Sequence, residues 1–441
     1  MSWKNVLVGW VCACAWIGAQ AQASPDATVQ RVALATSAKR PLSAADAAGP
    51  NLRETALPLL AGDLNERVVR VPVDGTGNIT LETTIFKPDG PGPFPLVVFN
   101  HGKIAGDPGA QSRSRPLAFA REFVRRGYVV VAPNREGFAN SDGTYRQEGC
   151  NVEKNGIMQA DDVAATIAYM SQQPYVDASR IVVAGTSHGG LATIAYGMRA
   201  APGVRGLINF SGGLRQDACS GWQNNLTHAF ESYGEHVQLP SLWLYGDNDS
   251  IWTPELTARM YAAYTDQGAS ATMVDVGRYK NDAHRLVVDR DSVSLWWPSV
   301  EAFLNRIHMP TRTEYRVEAP AVPPASGYAA VDAIEAVPYL DAAGRAAYRK
   351  FLRQFPSRAF AVARSGAWSW AEGGDDPISV ALSNCSKENH GEACRLYAVD
   401  DSVVWNEGTR TASSSGDDQA NRVDRADEPG EAPNHASLAS R

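Results

Sequence analysis

Arg180-Ile181-Val182-Val183-Ala184-Gly185-Thr186-Ser187-His188-Gly189-Gly190-Leu191-Ala192-Thr193-Ile194-Ala195-Tyr196 is the stretch that decides the fold. An apolar, β-branched run leads into a glycine-flanked serine, and a helix-forming run leads away from it. This is strand, tight turn, helix: the context in which a G-x-S-x-G pentapeptide lifts its serine clear of the chain as a nucleophile elbow. The glycines have a mechanical role. So sharp a turn strains the serine and brings the flanking positions against neighbouring backbone, where a Cβ would collide. Out of context the pentapeptide is a weak signal, and a glycine-rich loop without chemistry is the plain alternative.

A serine hydroxyl attacks well only when a base takes its proton. Behind such an elbow the acid and then the histidine follow along the chain. The strand Pro240–Tyr245 runs into Gly246-Asp247-Asn248-Asp249-Ser250, where a carboxylate past the strand end suits the acid. Asp249 is the candidate; Asp247 follows the strand so closely that tying down the turn suits it better. After the next strand, Ala271–Val276, a polar loop holds Asn281-Asp282-Ala283-His284, and His284 is the candidate base. Asp249 would fix its tautomer and stabilise the imidazolium. The oxyanion needs two backbone N–H donors. One candidate is His188, next to the nucleophile. The other is Lys103, in the loop Asn100-His101-Gly102-Lys103 that ends the strand Pro95–Phe99. His101 is read as structural, hydrogen-bonding that loop.

The chain resembles an α/β-hydrolase of the dienelactone hydrolase-like and serine esterase/peptidase group. The likeness lies in Asn100-His101-Gly102, Gly185–Gly190, Tyr245–Asp249 and Asp282-Ala283-His284, and covers about residues 65–310. Asn134-Arg135-Glu136-Gly137-Phe138-Ala139-Asn140-Ser141 echoes the group's D-x-R-G-x-G-x-S loop, departing from it at Asn134, Glu136 and Ala139. Dienelactone hydrolases carry cysteine as nucleophile, and this chain carries serine. The resemblance therefore implies ester hydrolysis in general, not a cyclic-lactone substrate, and it calls for no cofactor or metal.

The chain has 441 residues, 44% of them hydrophobic, enough for a large core beyond one typical domain. A net charge of −7 with no basic run speaks against nucleic acid as partner, and no zinc-type cysteine spacing appears. Lys4, the apolar run Val6–Ala19 and the small-residue sites ending at Ala21 and Ala23 read as a secretory signal peptide over 1–23, cleaved after Ala21 or Ala23. An uncleaved anchor is the alternative. Cleavage implies a periplasmic or secreted protein with no membrane contact.

Cys12 and Cys14 leave with that signal, so Cys150, Cys219, Cys385 and Cys394 remain, in an oxidising compartment. Cys385 and Cys394 enclose a short polar loop and are expected to pair. Cys150 and Cys219 lie in connections leaving the same edge of the sheet; their pairing would strap two loops over the active site, and two free thiols are the alternative.

Residues 24–64 read as a flexible leader. Arg67–Val73 and Ile79–Phe86 suggest an antiparallel hairpin opening the sheet. Strands and helices then alternate through the 65–310 domain, as in a doubly wound, mostly parallel α/β sheet. Residues 212–238 interrupt the alternation and are expected to form a small lid, whose aromatics Trp222, Phe230 and Tyr233 either line a pocket or pack the lid. A Pro-rich linker, 311–325, leads to a small α+β module over 326–405, read as a β-α-β core. Its Trp368 and Trp370 are packing residues or a binding face. Residues 406–441 read as a disordered tail.

The expected function is a serine hydrolase acting on small-molecule carboxylic esters through an acyl-enzyme. The alternatives are a serine peptidase on the same fold, or a non-catalytic binding protein on a hydrolase scaffold. Substrate-binding residues and oligomeric state are not readable from the sequence.

Overall fold

A computed structural model describes residues 28–31, 57–73, 78–318 and 321–406. The signal peptide, most of the leader and nearly all of the tail lie outside the described residues.

The central sheet follows from apolar runs without polar alternation, as expected of strands covered on both faces. Among the described residues it has nine strands. In chain order these are β1 (Thr28–Arg31), β3 (Arg67–Pro72), β4 (Thr80–Phe86), β5 (Phe94–Asn100), β6 (Val129–Pro133), β7 (Val176–Thr186), β8 (Val204–Phe210), β9 (Ser241–Tyr245) and β10 (Ala271–Asp275). Across the sheet they run β1-β10-β9-β8-β7-β5-β6-β4-β3. All neighbours from β1 to β6 are parallel. Only β4 and β3 are antiparallel, as the hairpin reading expects.

Successive residues of the central strands face opposite cores. Leu96, Val98, Ile181 and Val183 point into one, packed under the helices Val152–Ser171, His188–Tyr196, Trp222–Gly234 and Pro254–Thr265. Val97, Phe99, Val182 and Ala184 point into the other, under Leu117–Val124 and Val293–Arg306. This period of two across two helix layers is the physical content of a doubly wound sheet.

Two expectations about the larger domain change. In the 212–238 insertion, the helix Trp222–Gly234 joins a sheet-covering layer: Phe230 and Tyr233 are fully buried, and Phe230 packs on Trp243 at 4.9 Å. Only the segment before that helix stays at the strand ends, where Cys219 is bonded to Cys150. The leader is not wholly detached either. Thr28–Arg31 pairs with β10, β2 (Leu59–Leu60) pairs with β11 (Arg316–Val317), and Leu60 and Leu64 are buried. The apolar spacing of so short a segment is too weak to announce an edge strand.

The C-terminal module is not a β-α-β core. It is a four-stranded antiparallel sheet ordered β13 (Trp368–Glu372), β12 (Arg358–Val362), β14 (Arg395–Val399), β15 (Ser402–Val403). Along β12 the face alternates again. Phe360 and Val362 meet Tyr348 and Phe351 of the helix Ala342–Leu352, while the small Ala359 and Ala361 admit the helix Pro377–Glu388 with Ala381 and Cys385. Trp368 stacks on Phe360 at 6.3 Å, so it packs the module. Cys385 and Cys394 are bonded, as expected. The module is also not separate from the larger domain. Arg121 of the helix Leu117–Val124 meets Asp375 at 3.3 Å, and the Gly374 N–H donates to the Asp289 carboxylate at 2.7 Å.

Candidate active site

Gly102, Ser187, Gly213, Asp249 and His284 follow β5, β7, β8, β9 and β10 respectively, so all stand at the carboxyl ends of parallel strands. That is where open α/β sheets place their ligands.

Ser187 has φ 54° and ψ −123°, a conformation that L residues avoid and that marks a strained site. The turn is held from three sides. The Ser187 N–H donates to the Phe210 carbonyl at 3.0 Å, and the Ser187 carbonyl accepts from Gly190 and Gly213, each at 2.9 Å. A Cβ at Gly189 would run into the Asn100 and His101 carbonyls, which explains the glycine after His188.

His188 begins the helix His188–Tyr196, so its N–H has no intrahelical acceptor and lies at the positive end of the helix. A Cβ on Gly102 would sit 3.2 Å from the Ser187 Cβ, so the loop carrying Lys103 lies directly against the serine. Among the described residues neither the His188 nor the Lys103 N–H has an acceptor inside the protein.

Below the serine is a buried polar cluster. His101 donates from Nδ1 to the Gly102 carbonyl at 2.6 Å and accepts at Nε2 from the Arg135 N–H at 3.1 Å. It therefore holds the Gly102 loop, as the sequence reading expects. The His188 side chain turns away from the serine. Its Nδ1 accepts from the Arg135 guanidinium at 3.0 Å, and its Nε2 donates to Asn155 Oδ1 at 2.7 Å. Arg135 donates further to Gln159 at 2.8 Å. Burial, and next the neighbouring Arg135 charge, hold both histidines well below their ordinary pKa, so both are neutral. Burial also pulls the Arg135 guanidinium down to about 10.

On the other side stand Asp249 and His284. The Asp249 side chain is fully buried and faces His284 Nδ1 at 3.0 Å. Its Oδ1 also accepts from the Ile251 N–H at 2.9 Å and the Trp252 N–H at 3.0 Å. These donors fix the carboxylate so that its remaining acceptor capacity is aimed at the ring. Asp247 is exposed, and its backbone N–H, bonded to the Gly277 carbonyl at 3.0 Å, ties the turn. The side chains of Asn248 and Asp282 tie the two loops, Asn248 through the Tyr279 N–H and the Tyr279 and Lys280 carbonyls. Asp282 works from the other side. It accepts from the N–H groups of His284 and Ser250, each at 2.9 Å, and from the Ser250 hydroxyl at 2.8 Å. Trp252 lies 6.2 Å from the His284 ring, packs against Gly213 and donates to the Ser211 carbonyl at 2.7 Å. It is thus a wall between the histidine and the segment beneath the serine. Among the described residues no hydrogen bond joins Ser187 to His284; such contacts often tighten only once substrate is bound.

Sequence reading places Ser187, Asp249 and His284 at one sheet edge because each follows a legible strand. It misses Trp252, Asp282 and the Arg135–Asn155–Gln159 support. The Arg-Glu-Gly turn at 135–137 carries a signal for the loop but none for where the guanidinium points.

Residues 117–202 match the prolyl oligopeptidase family, peptidase S9. A 140-residue stretch is 31% identical to the quorum-quenching protein AidA of Acinetobacter baumannii, covering 30% of this chain and 43% of that protein. The chain thus spans less than half the length of this curated relative. Among solved structures, a puromycin-hydrolyzing peptidase of Mycobacterium tuberculosis is 18% identical at a TM-score of 0.44, over 62% of this chain and 43% of that one. Est1E of Butyrivibrio proteoclasticus, solved with ferulic acid bound, is 18% identical at a TM-score of 0.41, over 54% of this chain and 99% of that one.

The strand order and the serine elbow define an α/β-hydrolase. Within that fold, residues 117–202 carry the likeness to the prolyl oligopeptidase family.

Proposed function

We propose that the protein is a serine hydrolase, exported to the periplasm or beyond, that cleaves small carboxylic esters. Ser187 Oγ attacks the ester carbonyl as its proton passes to His284 Nε2. The Nδ1 of that ring stays engaged with Asp249, which holds the tautomer and stabilises the imidazolium. The oxyanion that forms is met by the N–H groups of His188 and Lys103. The alkoxide leaves with the proton from His284 Nε2, and the Ser187 ester remains. Water then repeats the sequence: His284 takes its proton, the carboxylic acid departs and Ser187 is restored.

The observation that carries this reading is the His284–Asp249 pair at 3.0 Å, with the carboxylate anchored by two backbone donors beside a strained serine. Export is favoured by the two disulfides, which suit an oxidising compartment. The match to the prolyl oligopeptidase family favours a second reading, a serine peptidase using the same residues. The likeness to a quorum-quenching protein adds quorum-signal turnover to the assays.

The test pairs fluorophosphonate labelling with turnover of p-nitrophenyl esters and aminoacyl p-nitroanilides. The ester reading expects label on Ser187, ester turnover well above anilide turnover, and a loss on the order of 10⁴-fold in Ser187→Ala with its fold intact. Faster anilide turnover selects the peptidase. No label and no turnover would leave a binding protein on a hydrolase scaffold.

A further inference from the structure

Asp289 follows His284 by five positions, and its side chain is completely buried, yet the mechanism above does not use it. Its donors come from two parts of the molecule. Arg285, directly after His284, donates to Oδ1 at 3.0 Å, and Tyr279, in the same loop before His284, donates to Oδ2 at 3.2 Å. The third strong donor is the Gly374 N–H at 2.7 Å, from the C-terminal module 85 residues on.

The contact is reciprocal. The Arg290 N–H donates to the Gly374 carbonyl at 3.1 Å, and Arg285 donates to the Glu372 carbonyl at 3.2 Å. Gly373, at φ 72°, lies so close to the Arg285 guanidinium and Asp289 that a Cβ there would strike both. Two residues further, Asp375 is fastened to Arg121 at 3.3 Å, on a helix that belongs to the larger domain.

We propose that the C-terminal module is a working part of the catalytic unit: its 372–375 loop, seated on Asp289 and Arg285, positions the loop that carries His284. Loss of the Gly374 donor leaves the buried Asp289 carboxylate to Arg285, Tyr279 and Lys280, the last at 3.5 Å, and a buried carboxylate short of a donor drives its surroundings to rearrange. Here the surroundings are the residues on both sides of the candidate base. Asp289 and Gly374 are positioning residues, acting on the reaction through His284. This rests on the proposed role of His284 as the base.

The test uses the full chain with Gly373→Ala, which places a methyl in the contact, and Asp375→Ala, which releases the neighbouring anchor without touching Asp289. Two quantities are read: hydrogen exchange of the 279–291 amides, and kcat and KM for a p-nitrophenyl ester. The expected result for Gly373→Ala is exchange in 279–291 faster by at least tenfold and kcat lower by about tenfold, with KM within twofold. Asp375→Ala should shift both in the same direction by about threefold. A general loss of stability would instead speed exchange throughout the sheet. Unchanged exchange at 279–291 in both variants overturns the proposal, as does faster exchange with unchanged kcat. If the parent protein hydrolyses nothing, the proposed function fails and exchange alone decides: faster exchange confined to 279–291 sustains the coupling of module to loop, and unchanged exchange overturns it.

Discussion

The polar clusters on the two sides of Ser187 are built from the same side chain to opposite ends. Below the serine, His188 faces the Arg135 guanidinium, His101 accepts from the Arg135 backbone N–H, and both are held neutral by burial and the Arg135 charge. Beside it, His284 faces a carboxylate that is itself pinned by backbone donors. A histidine paired with a cation-bearing neighbour is a rigid hydrogen-bonding spacer. A histidine paired with a carboxylate can accept and return a proton. The nearest histidine to the nucleophile in sequence is therefore scaffold, and the one 97 positions away (284 − 187) is the candidate base.

The comparison breaks hardest at Asp249. Asp249→Asn should lower ester turnover on the order of 10⁴-fold by offering the ring the wrong partner, while Asp247→Asn stays within a few fold. Steady-state kinetics on the two folded variants decide it; a larger loss in Asp247→Asn would move the acid.

The next effect concerns the two disulfides, one of which braces the cluster below the serine. Cys150 lies next to Asn151, which caps the helix carrying Asn155, the partner of His188. Replacing Cys150 and Cys219 by serine opens a crosslink between positions 69 apart and should cost about 4 kcal/mol in the chain-entropy picture. The shorter Cys385–Cys394 link, 9 apart, should cost about 3 kcal/mol. Denaturant midpoints with unchanged slopes would measure both.

His188→Ala should cost about 3 kcal/mol, because it strands the Arg135 and Asn155 groups in a buried space. Its main signature is thermal, in contrast to the kinetic signature of Asp249→Asn. A melting temperature equal to the parent's would show that the cluster is not structural.

The smallest effect is a slope in pH. His101 and His188 have depressed pKa values in the fold, so the unfolded chain binds two more protons once pH falls below about 6.5. Their stability contribution is present above that pH and lost as pH falls. Asp162 opposes them: burial raises its pKa to about 7, so between its unfolded value and 7 the folded chain holds one proton more. These three groups together contribute a rise in stability of about 1.4 kcal/mol per pH unit between about pH 5 and 6, two protons less one. Asp162→Asn should steepen the measured slope by about 1.4 kcal/mol per unit. Chemical denaturation across this range gives the slopes directly; a flatter profile in Asp162→Asn would reverse the assignment.

What could be read in the sequence follows from distance along the chain. The elbow, Asp249 and His284 each follow a contiguous apolar strand, so local pattern places them at one sheet edge. The two disulfides are legible because each cysteine sits in a recognisable connection. The Arg135–His188 contact joins positions 53 apart, and Asp289–Gly374 joins positions 85 apart, with neither end carrying a pattern that names the other. β13 escaped for another reason. Trp368 and Trp370 stand out as an aromatic pair, and their alternation is that of a strand paired to β12. The aromatics of the 212–238 segment suit a pocket wall as well as a core, and only the packing of Phe230 on Trp243 separates the two.

The seating of Gly374 on Asp289 has a temporal side. Chains emerge from the ribosome amino end first, at roughly 5–20 residues per second, so the 85 residues between these two partners take roughly 4–17 s to appear. Throughout that interval Ser187, Asp249 and His284 have all been synthesised, but the loop holding His284 lacks its third strong donor. On the role proposed for the module, hydrolytic competence would arrive with it rather than with His284, the last of the three candidate residues to be made.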